Sequence, residues 1–261
     1  MFAVINGGNP VTENTEQFNL FGDTVNANEC ITGISENDIA LVTGLHSDAG
    51  IDFSDFPPYI HSLYELSANA FDVIVHAWMS ELPVTEEIIR FGRKILQAAS
   101  GNYSPGMNES EQRQESEKAA TDRCDPDVQT VQAAAYKVWH EIHRMTGLLR
   151  FSPDENGVYT ALCEPDHFIL PALGNHFHMR FGITPWAIID VKRRFCLESG
   201  AGEAPEFLVF CGQAETGENT GAEWENLWRN YHKTINNESR NNPELQLKFM
   251  PKRYWKYLNE L

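Results

Sequence analysis

The sequence predicts an α+β protein in which helices flank a small antiparallel sheet. Apolar residues recur at helical spacing up to about residue 147, and the period then shortens to two residues, as in half-buried strands. From Glu223 onward the helical spacing returns. Because helices and strands occupy separate stretches of the chain, we expect a sheet built from two hairpins plus an extra strand, and a helical C-terminus.

Residues 1–58 are predicted to form an irregular acidic segment. The first 89 residues contain fourteen acidic side chains and no lysine or arginine, and the 261-residue chain has a formal net charge of −17. From Arg90 onward, 23 acidic and 20 basic residues leave a net charge of only −3. The total charge disfavours non-specific binding to nucleic acid, but most of the negative charge lies in the first third of the chain.

Residues 59–261 are predicted to form one α+β domain that begins with two helices. The first includes LYELSANAFDVIVHAWMSE, and the second, TEEIIRFGRKILQ, follows Pro83 with acidic residues in its first turn. The next stretch, SGNYSPGMNESEQRQESEKAATD, has almost no apolar side chain, which predicts a mobile loop at about residues 100–122.

The most clearly marked helix follows this stretch. Asp125 can cap its N-terminus, Pro126 suits its first turn and Gly147 suits the position after its end. Its apolar face is predicted to consist of Val131, Ala135, Val138, Ile142 and Met145.

The strands are predicted from alternating segments. LLRFS and VYTALC flank PDENG, WAIIDV and FCLES flank KRR, and EFLVFC supplies the extra strand. Between the two hairpins, EPDHFILPALGNHFHMRFG predicts a short helix, with Asp166 as its cap and His167 bonded to the backbone.

The chain ends in LKFMPKRYWKYLNEL, which predicts a terminal helix opened by Pro251. One face would dock on the core through Tyr254, Tyr257, Leu258 and Leu261. The opposite side would carry Lys252, Arg253 and Lys256, with Trp255 on the border. This basic side is either a solvated face or an edge that holds backbone phosphates while the ring stacks on a base.

Several classes of protein are disfavoured by the composition. No apolar run is long enough for a membrane span. The five cysteines are odd in number and never form a CxxC pair, which favours reduced thiols and a cytoplasmic location. Neither a GK[ST] phosphate loop nor a CxxxCxxC cluster motif is present, so no cofactor is predicted.

Histidine and acidic side chains crowd into the middle of the chain, and they support two interpretations. Glu164, Asp166 and His167 could supply general acid–base groups at the lip of a cleft. Arg144, Arg150 and Arg180 could hold a phosphate or carboxylate beside them, or these groups could form an internal salt-bridge network. We predict no metal site, because His140 and His143 lie on a helix flank and His176 and His178 would point apart on a strand.

Four segments together resemble a bacterial family of uncharacterised "probable DNA metabolism proteins". These segments are EIHRMTGLLRF, EPDHFILPALGNHF, RFGITPWAIIDVKR and FMPKRYWKYLNEL, and the match runs from about Phe71 to Leu261. Members are typically encoded beside a radical-SAM protein of DNA modification or repair, and a related domain is fused to uracil-DNA-glycosylase-like domains. The resemblance therefore implies DNA and a radical-SAM protein as partners.

Three functions follow from these observations. The first is a DNA-metabolism accessory protein that binds nucleic acid, a radical-SAM partner or both, without catalysis. Its nucleic-acid contacts are predicted to be Arg144, Arg150, Arg180, Lys252, Arg253, Trp255 and Lys256. The second is an enzyme acting on nucleic acid through Glu164, Asp166 or His167. The third is a protein-interaction scaffold with no DNA contact.

Overall fold

A computed structural model describes residues 3–4, 54, 58–100, 107–154, 156–209, 226–227, 229–231, 233–234 and 242–258. The helices are α1 (Pro58–Leu66), α2 (Ala68–Met79), α3 (Thr85–Ala99), α4 (Glu109–Thr121), α5 (Pro126–Leu148), α6 (Leu170–Phe181), α7 (Pro243–Phe249) and a 3₁₀ helix (Lys252–Tyr257). The strands are β1 (Ala3–Val4), β2 (Ser152–Pro153), β3 (Tyr159–Cys163), β4 (Trp186–Asp190), β5 (Phe195–Ser199) and β6 (Glu206–Val209). The predicted α+β class is confirmed.

The described residues fall into two compact units. The sheet-containing unit holds β1, His143–Pro165 and the residues from Leu170 onward. The helical unit holds the residues from Ser54 to Ile142 together with Asp166–Ile169. No helix in the described part of the chain is both long and apolar enough to cross a bilayer.

The six strands form one sheet in the order β1-β6-β5-β4-β3-β2. Both predicted hairpins and the extra strand are confirmed, because β2–β3, β4–β5 and β5–β6 pair antiparallel. The prediction of a purely antiparallel sheet is wrong, since β3 pairs with β4 in parallel. A parallel pair needs a crossover connection, and α6 lies between these two strands in the sequence and provides it.

The core of the sheet-containing unit lies between α6 and the sheet. All five residues of β4 are buried, and a cluster of aromatic rings continues this core. The ring of Phe151 lies 5.0 Å from that of Phe177 and 4.8 Å from that of Phe181, within the range of favourable aromatic pairs. Gly174 lets α6 approach β5 closely, because a Cβ there would lie only 3.3 Å from Leu197 Cδ2.

The first predicted helix is in fact two helices, which meet at Ser67. The Ser67 Oγ accepts a hydrogen bond from the Ala70 backbone N–H at 3.0 Å, as an N-cap residue does. The same hydroxyl donates to the Glu117 carboxylate on α4, so the break is held by a second element of the helical unit. The spacing of apolar residues could not reveal this break, because apolar residues continue on both sides of Ser67.

Helix α4 occupies most of the stretch that was predicted to be a mobile loop. Asn108 and Glu111 form a capping box at its start, and the helix buries only the small residues Ser116 and Ala120. The loop prediction for residues 109–121 is therefore wrong, because hydropathy does not register a helix that packs through small side chains. Residues 101–106 lie outside the described residues.

Helix α5 begins as predicted and ends slightly later. The Asp125 carboxylate accepts hydrogen bonds from the backbone N–H groups of Asp127 at 2.8 Å and Val128 at 3.2 Å. The predicted apolar face is buried at four of its five positions, Ile142 being half-buried. Gly147 lies inside the helix, which continues to Leu148, so its predicted role after the helix end is wrong.

Replacing Ser67 by alanine tests the break between α1 and α2. Ser67→Ala removes the cap of α2 and a partner of Glu117, so we expect the free energy of unfolding to fall by about 1–2 kcal/mol. Urea denaturation measures this change. Ser62→Ala is the matched control, because Ser62 is exposed and should change stability by less than about 0.5 kcal/mol. Equal effects of the two substitutions would contradict the proposed role of the cap.

Candidate nucleic-acid interface

The basic side chains predicted to meet nucleic acid lie on the C-terminal 3₁₀ helix. Pro251 precedes this helix, as predicted. The helix is of the 3₁₀ type, whereas the prediction assumed α-helical spacing. Tyr254 and Leu258 are buried and attach the segment to the protein. Lys252, Arg253 and Lys256 are exposed. Of the other two predicted docking residues, Tyr257 is half-buried and Leu261 lies outside the described residues.

Each of the three cations lies against an aromatic ring of the same segment. The Arg253 guanidinium carbon is 4.6 Å from the Tyr254 ring centre, and its Nη2 donates to the Tyr254 hydroxyl at 2.7 Å. Lys252 and Lys256 place their Nζ atoms 5.9 Å and 4.9 Å from the rings of Trp255 and Tyr257. These distances suit cation–π contacts, which hold the charges near the surface without neutralising them.

Trp255 is held with its ring half-exposed. Its Nε1 donates to the Met250 carbonyl oxygen at 2.8 Å, which satisfies the polar atom of the indole and sets the orientation of the ring. A half-buried indole beside lysine and arginine offers a flat surface on which a nucleobase can stack.

One predicted catalytic carboxylate, Glu164, pairs with this segment. The Lys256 Nζ donates to Glu164 Oε2 at 2.6 Å, and the Tyr257 hydroxyl also hydrogen-bonds to the carboxylate. The lysine lowers the pKa of Glu164 below its usual range, and the charge of Lys192 contributes in the same direction. Burial raises the pKa of the Tyr257 hydroxyl, and the neighbouring Glu164 carboxylate raises it further. A carboxylate held ionised in this way is a poor general acid.

The turn after β4 is organised by a buried carboxylate. Asp190 is fully buried, and its pKa is raised by burial although the Arg193 guanidinium, 2.8 Å away, opposes this shift. The Arg193 backbone N–H donates to Asp190 at 3.1 Å, and Arg193 Nη1 donates to the Pro165 carbonyl oxygen at 3.1 Å. Asp190 and Arg193 thus tie the turn after β4 to the segment after β3.

The remaining predicted phosphate ligands have different surroundings. Arg150 donates from Nη1 to the carbonyl oxygens of Gly147 at 3.0 Å and Leu149 at 3.4 Å, near the C-terminal end of α5, where a positive charge is favourable. Arg144 is half-buried on α5, and Arg180 is exposed in the last turn of α6. All three belong to the sheet-containing unit, as does the 3₁₀ helix.

The histidines occupy several separate environments. His176 and His178 lie on α6, so their predicted placement on a strand is wrong. His140 Nε2 is 2.6 Å from the Tyr136 hydroxyl on α5, and desolvation together with Arg180 lowers the pKa of His176. Within the ranges that the structure describes, no group of three or more His, Cys, Asp or Glu side chains could hold a metal ion.

Asp166 and His167 are held by a buried glutamate that the sequence did not single out for this role. Both backbone N–H groups donate to the Glu141 carboxylate, each at 2.8 Å. The predicted contact of His167 with the backbone is confirmed, because its Nδ1 lies 2.7 Å from the Ser80 carbonyl oxygen. Asp166 is not at the cap position predicted for it, since α6 begins only at Leu170.

The cysteines that the structure describes offer no activated nucleophile at this surface. Cys163 and Cys196 are buried and form no disulfide with a described residue, and burial raises the pKa of the Cys196 thiol to about 12. Cys124 is free and exposed on the segment before α5. A thiol with a raised pKa stays protonated at neutral pH and is therefore a weak nucleophile.

Comparison with known proteins shows which family the sequence belongs to. A family model for a domain of unknown function, DUF4130, matches residues 109–260, which is more than half of the chain. The chain belongs to the DUF4130 family. No curated protein and no solved structure is significantly similar to it. The expected membership of an uncharacterised family is confirmed, whereas the association with DNA metabolism remains a prediction.

The DUF4130 region contains every candidate site residue predicted from the sequence. It also contains residues whose roles sequence reasoning missed: Lys192 and Tyr257, which act on Glu164 in the sheet-containing unit, and Glu141, which holds Asp166 and His167 in the helical unit. Lys192 could have been found, because KRR joins the two strands of a predicted hairpin and places basic residues at one edge of the sheet. Glu141 could not, because a glutamate on a helix surface gives no sign that it will be buried against backbone N–H groups.

The ion pair between Glu164 and Lys256 should make stability depend on pH. Since the pKa of Glu164 is lowered on folding, its contribution is present above its unfolded pKa of about 4.3 and is lost as the pH falls through the folded value. We expect Glu164→Gln to be less stable than the parent chain at pH 7, by less than about 1 kcal/mol because the pair is partly exposed.

Denaturation of both chains from pH 7 to pH 3 measures this dependence. The stability difference between the parent chain and Glu164→Gln should shrink as the pH falls below about 4.3, and it should disappear once the pH is below the lowered pKa of Glu164 in the folded chain. A difference that stays constant over this pH range would show that the ion pair does not contribute.

Removing Glu141 should have a much larger effect than removing an exposed acid. Glu141→Ala leaves the N–H groups of Asp166 and His167 without their acceptor, so we expect a loss of about 2–4 kcal/mol in urea denaturation. Glu115→Ala on α4 is the control and should change stability by less than about 0.5 kcal/mol. A loss from Glu141→Ala as small as that of the control would refute the structural role.

Proposed function

We propose that this DUF4130 protein is an accessory protein of DNA metabolism that binds nucleic acid and performs no catalysis itself. The binding surface would be the terminal basic surface, defined as Lys252, Arg253, Trp255 and Lys256, with Lys192 beside it. The observation that carries the proposal is the row of exposed cations, each beside an aromatic ring, on a segment whose buried side chains attach it to the protein.

The local charge supports this proposal despite the acidity of the whole chain. Residues 242–258 contain four basic residues and one acidic residue. Charges further than about 10 Å away are largely screened at 0.1 M salt, so a nucleic acid at this surface would respond mainly to the nearby cations. Arg144, Arg150 and Arg180 of the same unit are proposed to extend the surface.

The pair between Lys256 and Glu164 is compatible with this role. Their side chains are 54% and 36% exposed, and ion pairs in such positions contribute little to stability. A phosphate could therefore replace the carboxylate at Lys256 at a small cost. Trp255 would add the stacking energy of one base, about 1–3 kcal/mol by alanine substitution.

The partner and the location belong to the same proposal. The resemblance of the sequence to probable DNA metabolism proteins supports a radical-SAM protein as the partner, and the odd number of cysteines without a CxxC pair supports the cytoplasm as the location. The accessory protein would hold the nucleic acid, and the partner would supply the reaction. The acidic front of the chain, which has no lysine or arginine before Arg90, suits contact with a basic partner surface.

The enzymatic alternative receives less support from the candidate acid–base groups. The charge of Lys256 keeps Glu164 ionised, and the Nδ1 of His167 is engaged with the Ser80 carbonyl oxygen. The scaffold alternative predicts no nucleic-acid binding at all, so the experiment below also tests it.

Binding of a labelled 15-nucleotide single strand, followed by fluorescence anisotropy over a range of salt concentrations, tests the proposal. We expect affinity to fall with salt, and each phosphate contact that is removed should lower the magnitude of the log–log slope by about 0.7. Lys252→Ala should lower the slope by this amount. Trp255→Ala should weaken binding about 5- to 150-fold with a smaller change of slope, whereas Trp255→Phe should retain most of the affinity.

Lys137→Ala is the control, because Lys137 is an exposed lysine on α5 in the helical unit. It should leave both affinity and slope unchanged. Absence of salt-dependent binding by the parent chain would refute the nucleic-acid proposal, and it would favour the scaffold if a radical-SAM protein still co-purifies. Equal binding by all variants would remove the terminal basic surface from the proposal.

A further inference from the structure

A pocket of about 520 Å³ lies among α1, α2 and α3 of the helical unit. Its lining lies between residues 59 and 96, before the segment that matches the DUF4130 family begins. The volume is within the range of about 300–1,000 Å³ that small-molecule sites usually have. The pocket opens to solvent, because two of its lining residues, Tyr59 and Ile89, are 56% and 48% exposed.

The lining of this pocket is almost entirely apolar. Phe71, Ile74, Trp78 and Leu96 contribute to its walls, and Gly92 leaves a gap in the α3 wall where another residue would project a side chain. A Cβ at Gly92 would meet only the Cδ1 atoms of Ile74 and Leu63, each at 3.8 Å. The pocket therefore suits a ligand with a substantial apolar body.

Among the described residues that line the pocket, Arg93 is the only charged one. The other two cations of α3 are engaged with carboxylates: Arg90 with Glu87 at 2.9 Å, and Lys94 with Asp127 at 2.8 Å. The side chain of Arg93, by contrast, is exposed and makes no hydrogen bond or ion pair with any residue in the described part of the chain. Its guanidinium can bind a carboxylate through two parallel N–H···O hydrogen bonds.

We propose that this pocket binds a small amphipathic carboxylate, with an apolar chain or ring in the pocket and the carboxylate on Arg93. A single guanidinium matches a single carboxylate in charge and in bidentate geometry. A neutral apolar ligand would gain nothing from Arg93, and a cationic one would be repelled by it. The lining residues that the structure describes include no second cation for a more highly charged head group.

Isothermal titration calorimetry with the intact chain tests the proposal, using decanoate below its micelle concentration. We expect decanoate to bind with a stoichiometry of one. Acetate lacks the apolar body and decyltrimethylammonium carries the opposite charge, so neither should bind measurably. Decanoate binding at several sites per chain, or decyltrimethylammonium binding as tightly as decanoate, would overturn the proposal.

Two substitutions examine the role of Arg93. Arg93→Gln should weaken decanoate binding about tenfold or more, as expected for loss of a charge-assisted hydrogen bond. Arg113→Gln is the control, since Arg113 is exposed on α4 and does not line the pocket. An unchanged decanoate affinity in Arg93→Gln would overturn the proposal.

Ile89→Glu provides a second test that keeps Arg93 in place. Residues 89 and 93 are four apart on α3, and a glutamate N-terminal to a basic residue at this spacing forms a favourable pair. The new carboxylate should compete for Arg93 and weaken decanoate binding more than Ile89→Gln does. Because Ile89 is half-exposed, both variants should fold, and circular dichroism checks this. Equal affinities of the two variants would contradict a carboxylate site on Arg93.

This test is independent of the proposed nucleic-acid function. The pocket residues belong to the helical unit, and the terminal basic surface belongs to the sheet-containing unit. Failure of decanoate binding would leave the nucleic-acid proposal unaffected, and failure of nucleic-acid binding would leave the pocket proposal unaffected.

Discussion

The parallel pairing of β3 with β4 is the constraint on which the sheet-containing unit depends. Two parallel neighbours cannot be joined by a tight turn, so the chain must cross back over the sheet, and α6 makes this crossover. The crossover is stable because α6 buries one face, including Leu173 and Phe177, against the strands. The resulting register aligns Cys163 with Asp190, and the segments after both strands therefore leave from the same edge of the sheet.

Burial of Asp190 adds a second constraint at that edge. A carboxylate without solvent is costly unless it is paired and hydrogen-bonded, and Arg193 supplies both its guanidinium and its backbone N–H. The same arginine reaches the Pro165 carbonyl oxygen. The turn that carries Lys192 is thereby held near Glu164, and Glu164 in turn contacts the terminal 3₁₀ helix through Lys256. The terminal basic surface is thus a consequence of strand register as well as of composition.

The cations of this acidic chain serve different purposes in the two units. In the helical unit, Arg90 and Lys94 hold α3 to the start of α5 through Asp125 and Asp127. In the sheet-containing unit, the cations of the terminal segment lie against aromatic rings of that segment. An ion pair offsets a charge, whereas a contact with a ring orients it without offsetting it. Lys256 combines the two, since it also pairs with Glu164 at 2.6 Å. The net charge of the protein therefore says little about where an anion can bind.

The sequence by itself determined the elements whose signals are local. Residue spacing and residue type were enough to predict four features. They are the Asp125 cap, the apolar face of α5, the strands of both hairpins and the docking of Tyr254. Tertiary structure alone decided the parallel pairing of β3 with β4 and the burial of Glu141. Each of these features depends on contact with residues that are distant in the chain. Such a contact cannot be inferred from the pattern of neighbouring residues.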